Sequence, residues 1–152
     1  MAAGASVTER IDQLVALFNA RSMDLPDGFF TRQTQFLLNG VAFEEMLGRS
    51  PRDPLVLMLA RGPSGYRFTA KALQHAVPDG TLQRGELLES SEQGIQVVRG
   101  QCWLSGHLRG DHETVEILVG IDMRLRDGVV QSANASVEPA QVARLHQARL
   151  RA

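Results

Sequence analysis

The sequence is poor in the features that mark several large classes of protein. It has one cysteine, Cys102, so an internal disulfide is impossible and a reducing compartment such as the cytoplasm is expected. The net charge is −1, which gives no field that would attract nucleic acid or an acidic membrane. No stretch reaches the roughly 18 apolar residues of a membrane span, and the N-terminus lacks the basic and apolar segments of a secretion signal. We therefore expect a cytoplasmic protein that binds neither nucleic acid nor membranes.

The composition that remains is that of an ordinary globular domain. Hydrophobic residues make up 43% and charged residues 22% of the 152 residues. A chain of this length is most simply one domain, which would bury about two-thirds of its unfolded surface. We expect a single domain over 1–152.

Helical patterns dominate the first half of the chain. Ser6 and Glu9 have the spacing of a capping box, and an apolar stripe with the helical period follows them. A strand is expected over Thr31–Leu38, followed by a turn at Asn39-Gly40. Another helix begins near Ser64 and places one apolar face inward: Tyr66, Ala70, Leu73 and Val77.

Strand patterns dominate the second half of the chain. Four strands are predicted, at Thr81–Glu89, Ile95–Arg109, Thr114–Arg126 and Val129–Val137. The segments between them have the composition of turns, and residues 139–152 close the chain as a helix. Helices followed by an antiparallel meander predict an α+β domain, with helices packed on one face of a strongly curved, mostly antiparallel sheet.

The third predicted strand shows which residues face inward. Every odd position from Val115 to Leu125 is apolar, whereas Asp122 and Arg124 occupy even positions. An alternation of this kind places the odd residues, Ile121 and Met123 among them, on the buried face and Asp122 on the opposite one.

Counting across the following hairpin predicts a polar cluster on the buried face. If Asp127-Gly128 is a two-residue loop, Met123 pairs with Ser132, Ile121 with Asn134 and Val119 with Ser136. Amides and hydroxyls on that face could bind a ligand carbonyl, or could bond the neighbouring backbone.

The opposite face of the sheet is too apolar to be simply solvated. It carries Trp103 and Leu118 among charged residues, with Gln101 expected beside Asp122 after a tight turn at Asp111-His112. We expect a second copy of the chain to cover it, giving a homodimer through the Trp103/Leu118 face.

Taken together, these segments resemble the nuclear transport factor 2-like superfamily, which includes ketosteroid isomerases, limonene epoxide hydrolase and polyketide cyclases. The likeness spans roughly residues 6–139 and rests on the segments "IDQLVALFNARSMD", "GPSGYRFTAKAL", "IQVVRGQCWLSGHLRG" and "VGIDMRLRDGVVQSANASVEP". The resemblance implies a cone-shaped fold whose internal pocket binds hydrophobic small molecules. Residues 39–62 look like an insertion that would lid this pocket.

The resemblance also implies where catalytic residues would stand. The tyrosine of the isomerases corresponds to Leu14, their general base to Leu38 or a neighbour, and their second carboxylate, by face, to Ile121. The Arg-x-Asp of the epoxide hydrolase becomes Arg99-Gly100-Gln101, and its other aspartate falls near Ala135 or Asn134. Neither catalytic set is intact.

Other reactive residues have ordinary explanations beside functional ones. His75 could reach the pocket as a base or simply end its helix, and Asp122 could be a pocket acid or an ion-paired surface carboxylate. Cys102 is expected to be a small core residue. A histidine and acid cluster at 107–113 does not have the spacing of a metal site, so we expect no metal and no cofactor.

Three functions remain open from the sequence. The first is the binding of a small, largely apolar molecule through Ser132, Asn134, Ser136, Tyr66, Ile121 and Met123. The second is an isomerase, cyclase or dehydratase that uses His75 or Asp122. The third is a protein-interaction module that uses the Trp103 face.

Overall fold

The computed structural model describes residues 7–25, 28, 30–46 and 61–149, apart from the side chains of residues 44 and 46. The helices are α1 (Val7–Asn19), α2 (Phe43–Met46), α3 (Gly62–Ala76) and α4 (Pro139–Arg149). The strands are β1 (Gln35–Leu38), β2 (Val41–Ala42), β3 (Thr81–Glu92), β4 (Ile95–His107), β5 (Thr114–Arg126) and β6 (Val129–Ser136). No helix among these described residues is long and apolar enough to cross a membrane.

All six strands form one open sheet in the order β2-β1-β6-β5-β4-β3. The four long strands are an antiparallel meander, and β1 joins its end by pairing parallel to β6. Helices α1 and α3 pack on one face, which we call the inner face; the other is the outer face. The predicted α+β class and the mostly antiparallel sheet are confirmed.

The alternation in β5 has the predicted consequence. Val115, Ile117, Met123 and Leu125 are buried on the inner face, whereas Asp122 lies on the outer face. Because side chains in a strand alternate with a period of two, the apolar set can be buried together only in this orientation. The inner face therefore supplies the sheet side of the core.

Several predicted boundaries differ from the observed ones. The first strand begins at Gln35, because residues 31–34 make a turn in which the Thr34 amide donates to the Thr31 carbonyl at 3.0 Å. Strand β3 continues to Glu92, three residues beyond its predicted end. Ser6 of the capping box and residues 47–60 of the predicted lid lie outside the described residues.

The β5–β6 hairpin contains a bulge that the sequence count missed. Leu125 pairs with Val130 as predicted, but Arg124 pairs with Ser132, so Gln131 is the extra residue. A bulge shifts every later pair by one position. Met123 therefore faces Ala133 and Asp122 faces Asn134, and the predicted placement of the polar cluster on the inner face is wrong.

The β4–β5 connection is also longer than expected. Leu104 pairs with Ile117 and Trp103 with Leu118. The register is therefore shifted by two positions from the one that a two-residue loop at Asp111-His112 would give. A shift of two preserves the side-chain faces. The inner placement of Cys102 and Leu104 is therefore confirmed, while the partner of Asp122 is Arg99 and not Gln101.

An asparagine side chain extends the β1–β6 ladder past the end of β1. The Asn39 amide nitrogen donates to the Val137 carbonyl at 2.8 Å, and its amide oxygen accepts from the Val137 nitrogen at 2.8 Å. Asn39 also has a φ of 52°, a conformation that asparagine tolerates better than most residues. The turn to β2 is thereby fixed to the core strands.

Candidate ligand site on the inner face

The inner face carries two hydrophobic clusters that meet at Tyr66. One cluster is centred on Met123 and Leu125, and the other on Leu104 and Ile117. Tyr66 packs against both and is itself half-buried. Tyr66 therefore lies at the boundary between the two halves of the core.

Aromatic rings surround Tyr66 on the side of the first cluster. Phe30 stacks on Tyr66 with ring centroids 5.8 Å apart and meets Phe36 edge-on at 5.1 Å. Phe36 in turn stacks on Phe43 at 5.8 Å. These rings form an aromatic part of the core with one phenolic hydroxyl at its end.

The structure brings three predicted site residues together and confirms their inner position. Met123 is 4% exposed, and Ile121 and Tyr66 are half-buried in contact with the same cluster. Sequence periodicity found these residues because both elements keep a regular period up to this point. Phe30 and Phe36 were not singled out, because they lie in and beside an irregular turn.

The positions at which related enzymes would carry catalytic groups are apolar here. Leu14 and Ile121 pack against the first cluster, and Leu38 lies two residues after Phe36 on the same face of β1. Arg99 and Gln101 point to the outer face, away from this site. The inner site therefore has neither the tyrosine of α1 nor the carboxylates that the family resemblance would require at these positions.

The phenol of Tyr66 and the thiol of Cys102 are held in their neutral forms. Burial raises the pKa of Tyr66 above the usual value of 10.0, and its hydroxyl lies 3.4 Å from the Leu14 carbonyl. Burial also raises the pKa of Cys102. A neutral phenol and a neutral thiol can donate hydrogen bonds to a ligand, but neither is a base near pH 7.

An ion pair stands at the β3 end of the inner face. The Arg84 guanidinium contacts the Asp12 carboxylate of α1, and one of its terminal nitrogens lies 3.5 Å from the second oxygen. Both groups are partly exposed. This pair joins α1 to the edge strand, so we assign it a structural role.

The predicted polar cluster lies on the outer face. Ser132, Asn134 and Ser136 pair with Arg124, Asp122 and Gly120, all on the face away from the helices. The Asn134 amide oxygen accepts a hydrogen bond from the Gly40 nitrogen at 3.0 Å. This oxygen, which was predicted to bind a ligand, is therefore already bonded. These three residues cannot line the inner site.

The two weak catalytic candidates are also outside the inner site. Asp122 contacts the Arg99 guanidinium at 3.1 Å and that of Arg124 at 3.6 Å, as expected of a surface carboxylate. His75 is exposed in the last turn of α3, and its carbonyl accepts from the Arg109 Nε at 2.7 Å. Among the described residues, no three histidine, cysteine or acidic side chains are placed to hold a metal ion.

The outer face has a shallow groove of its own. A cavity of about 340 Å³ lies between Leu88, Arg99, Gln101, Gly120, Asp122 and Ser136. Leu88 is 67% exposed and Leu118 is 40% exposed beside it, which is unusual for large apolar side chains in a sheet.

Comparisons with known proteins bear on the fold. No protein-family description and no curated protein matches the sequence. Solved structures match over nearly the whole chain, among them TerC co-crystallised with polyporic acid (TM-score 0.59, 15% identity, 92% of this chain and 97% of that one). Others are a SnoaL-like polyketide cyclase from Agrobacterium tumefaciens (0.58, 13%, 93% and 98%) and an NTF2-like protein of unknown function from Cytophaga hutchinsonii (0.56, 8%, 94% and 99%).

The chain has the nuclear transport factor 2-like fold. Three features agree with this fold: the open sheet, the helices on its inner face and the parallel β1–β6 pair. The fold predicted from the strand pattern and from the family resemblance is therefore confirmed. At these identities the likeness concerns the fold, and the side chains decide the function.

Proposed function

We propose that the protein binds a small, largely apolar, flat molecule on the inner face of the sheet, beside Tyr66. The ligand would pack against the Phe30–Phe36–Phe43 rings and Ile121, and would accept a hydrogen bond from the Tyr66 hydroxyl in place of the Leu14 carbonyl. The observation that carries the proposal is the position of Tyr66 between two separate apolar clusters. Pockets for small molecules commonly combine such apolar walls with one or a few polar groups.

Binding is favoured over catalysis by the chemistry of the site. Proton abstraction near pH 7 needs a base, and the inner positions that the family resemblance assigns to catalytic groups are Leu14, Leu38 and Ile121. Tyr66 and Cys102 are neutral near pH 7, and burial raises the pKa of each further. These groups suit recognition of a carbonyl or hydroxyl better than proton transfer.

The class of ligand follows from the shape of the walls and gains support from one structural neighbour. Stacked and edge-on rings complement a flat aromatic or polycyclic molecule. TerC, which shares the fold, was crystallised with polyporic acid. Polyporic acid, phenols, steroids and polyketide-like rings are therefore the first molecules to test.

A thermal-shift screen of the purified protein tests the proposal. A ligand at a hundred times its Kd adds about 2.7 kcal/mol of stability, which raises the Tm of a domain of this size by roughly 5–10 °C. Tyr66→Phe removes the hydroxyl and keeps the ring, so it should reduce the shift for the same ligand. An unchanged Tm across the whole panel would contradict binding on the inner face.

The alternative is an isomerase, cyclase or dehydratase that acts on a hydrophobic ring substrate. The fold is shared with a SnoaL-like polyketide cyclase, which is the observation in favour. A ligand from the screen distinguishes the two functions, since a substrate would be converted on incubation and a bound ligand would be recovered unchanged.

We also propose that the outer face joins two copies of the chain. In a two-fold interface the same surface meets itself, so apolar residues can pack on each other and charges of opposite sign can pair across it. The apolar residues of this face are Leu88, Leu118 and the half-buried Trp103. Its charges of opposite sign are those of Asp122 and Arg99. A buried single cysteine, Cys102, agrees with function of this dimer in a reducing compartment such as the cytoplasm.

A further inference from the structure

A histidine and a carboxylate form a pair at the end of β4. The Asp79 Oδ2 atom lies 2.6 Å from His107 Nδ1, and Oδ1 accepts from the His107 backbone nitrogen at 2.8 Å. One carboxylate therefore fixes both the backbone and the ring of the same residue.

The pair sets the state of the imidazole. A carboxylate bonded to Nδ1 keeps the proton of the neutral ring on that nitrogen, so the lone pair is on Nε2. The hydrogen bond from His107 lowers the pKa of Asp79, which is consequently ionised throughout the neutral range. Within the part of the chain that the structure describes, His107 Nε2 makes no hydrogen bond or ion pair, and the His107 side chain is about half exposed.

The pair opens into a cleft that the inner-face site does not share. The cleft has a volume of about 500 Å³ and is lined by Pro78, Asp79, His107, Leu108, Arg109, Gly110 and His112. Its cation is Arg109, whose Nε is held by the His75 carbonyl at 2.7 Å. A base, a positioned cation and an apolar wall at Pro78 thus lie around one opening.

We propose that this cleft hydrolyses small carboxylic esters, with His107 as the general base. His107 Nε2 takes a proton from water as the water oxygen bonds to the ester carbonyl carbon. The bond from that carbon to the leaving oxygen then breaks, and the leaving oxygen receives the proton from Nε2. The products are the carboxylic acid and the alcohol, and Arg109 stabilises the negative charge that develops on the carbonyl oxygen.

Asp79 acts as a positioning residue in this scheme. Both of its oxygens bond His107, and its contribution is to hold the imidazole with the lone pair on Nε2. Its loss should therefore lower kcat and leave KM nearly unchanged. A purely structural role would change the Tm without dividing the kinetic constants in this way.

The test is the hydrolysis of para-nitrophenyl acetate by the purified full chain at neutral pH. We expect saturable turnover that His107→Asn reduces by roughly a hundredfold, the usual contribution of a general base. His146→Asn, which changes another exposed histidine outside the cleft, should retain the wild-type rate. Asp79→Asn should lose about tenfold in kcat at constant KM.

Two results would overturn the proposal. One is a wild-type rate no greater than the rate of His107→Asn, when the Tm of each protein shows that both are folded. The other is an equal loss in His107→Asn and His146→Asn, which would mean that exposed imidazoles hydrolyse the ester without a site. Because Arg109→Gln keeps the base and removes the cation, a rate equal to wild type in that variant would remove Arg109 from the mechanism.

Discussion

Tyr66 is the residue on which the account of the inner site depends, and it can be observed alone because it is the single tyrosine. Its ring packs against both core clusters, and its hydroxyl approaches the Leu14 carbonyl at 3.4 Å. The helical period predicted its inward position, since Tyr66 and Ala70 are one turn apart. The ring partner Phe30 was not predictable, because its position depends on a turn whose conformation is set by tertiary contacts.

We predict that the Tyr66 phenol ionises above the usual value of about 10. Burial disfavours the phenolate, which raises the pKa of this group in the folded protein. A raised pKa means that the folded state keeps the proton longer, so stability is full below pH 10 and declines as the pH rises further. Ultraviolet titration of phenolate absorbance measures the midpoint directly. A midpoint at or below that of free tyrosine would show that the ring is solvated.

Asn134 shows where single-residue reasoning failed. Its letter and its place in β6 suggested a polar group on the inner face, but the bulge at Gln131 turned it to the outer face. A bulge of one residue has little local signature, and its effect extends to every later residue of the strand. The orientation of β5 was predictable because apolar residues occupy every second position along its thirteen residues.

At the scale of elements, close packing of β3 against β4 constrains the inner face. Gly100 lies opposite the irregularity between Arg84 and Leu87. A Cβ at position 100 would lie 2.4 Å from the Glu86 carbonyl oxygen and 2.3 Å from Leu87 Cδ2. A Cβ at Gly120, on the next strand, would lie 3.3 Å from Ser136 Cβ.

We predict that Gly100→Ala destabilises the protein by about 1–3 kcal/mol, the usual cost of overpacking. Gly120→Ala should cost less than about 1 kcal/mol, since Ser136 is an exposed strand end that can shift. Equilibrium unfolding in denaturant compares the two. Equal losses would mean that the β3 irregularity adapts to the added methyl group.

The Asn39 side chain also stabilises the end of β1, because it bonds the Val137 backbone as the backbone of a longer strand would. Asn39→Gly permits the positive φ and removes both side-chain hydrogen bonds. We expect a loss of about 0.5–1.5 kcal/mol in the free energy of unfolding. Asp127→Gly is the control, since Asp127 has the same φ of 52° in a hairpin turn and should change stability by less than about 0.5 kcal/mol.

At the scale of the whole molecule, the order of helices and strands predicted the α+β class and the fold. The register of the β4–β5 pair was not predictable, because the connecting segment is longer than a tight turn and no local rule fixes its length. The shift by two positions left each face intact, so the apolar character of the outer face was predicted correctly. That surface underlies the expectation of a dimer.

We predict that the protein is a dimer in solution and that Leu118→Glu makes it monomeric. Leu118 is 40% exposed on the outer face, and a buried unpaired carboxylate in a symmetric interface would be present twice. Phe68→Glu is the matched control, since Phe68 is also 40% exposed but lies on α3. Light scattering during gel filtration gives the masses. A monomeric wild type would contradict the proposed interface.

The most direct test of the inner-face site is a calorimetric titration of the best ligand from the screen into three proteins. They are the wild type, Tyr66→Phe and Leu118→Glu. The account predicts that Tyr66→Phe raises the Kd about two- to tenfold, the value of one hydrogen bond, and that Leu118→Glu leaves the Kd unchanged. The opposite pattern, with Leu118→Glu abolishing binding and Tyr66→Phe unchanged, would place the ligand on the outer face and contradict the account.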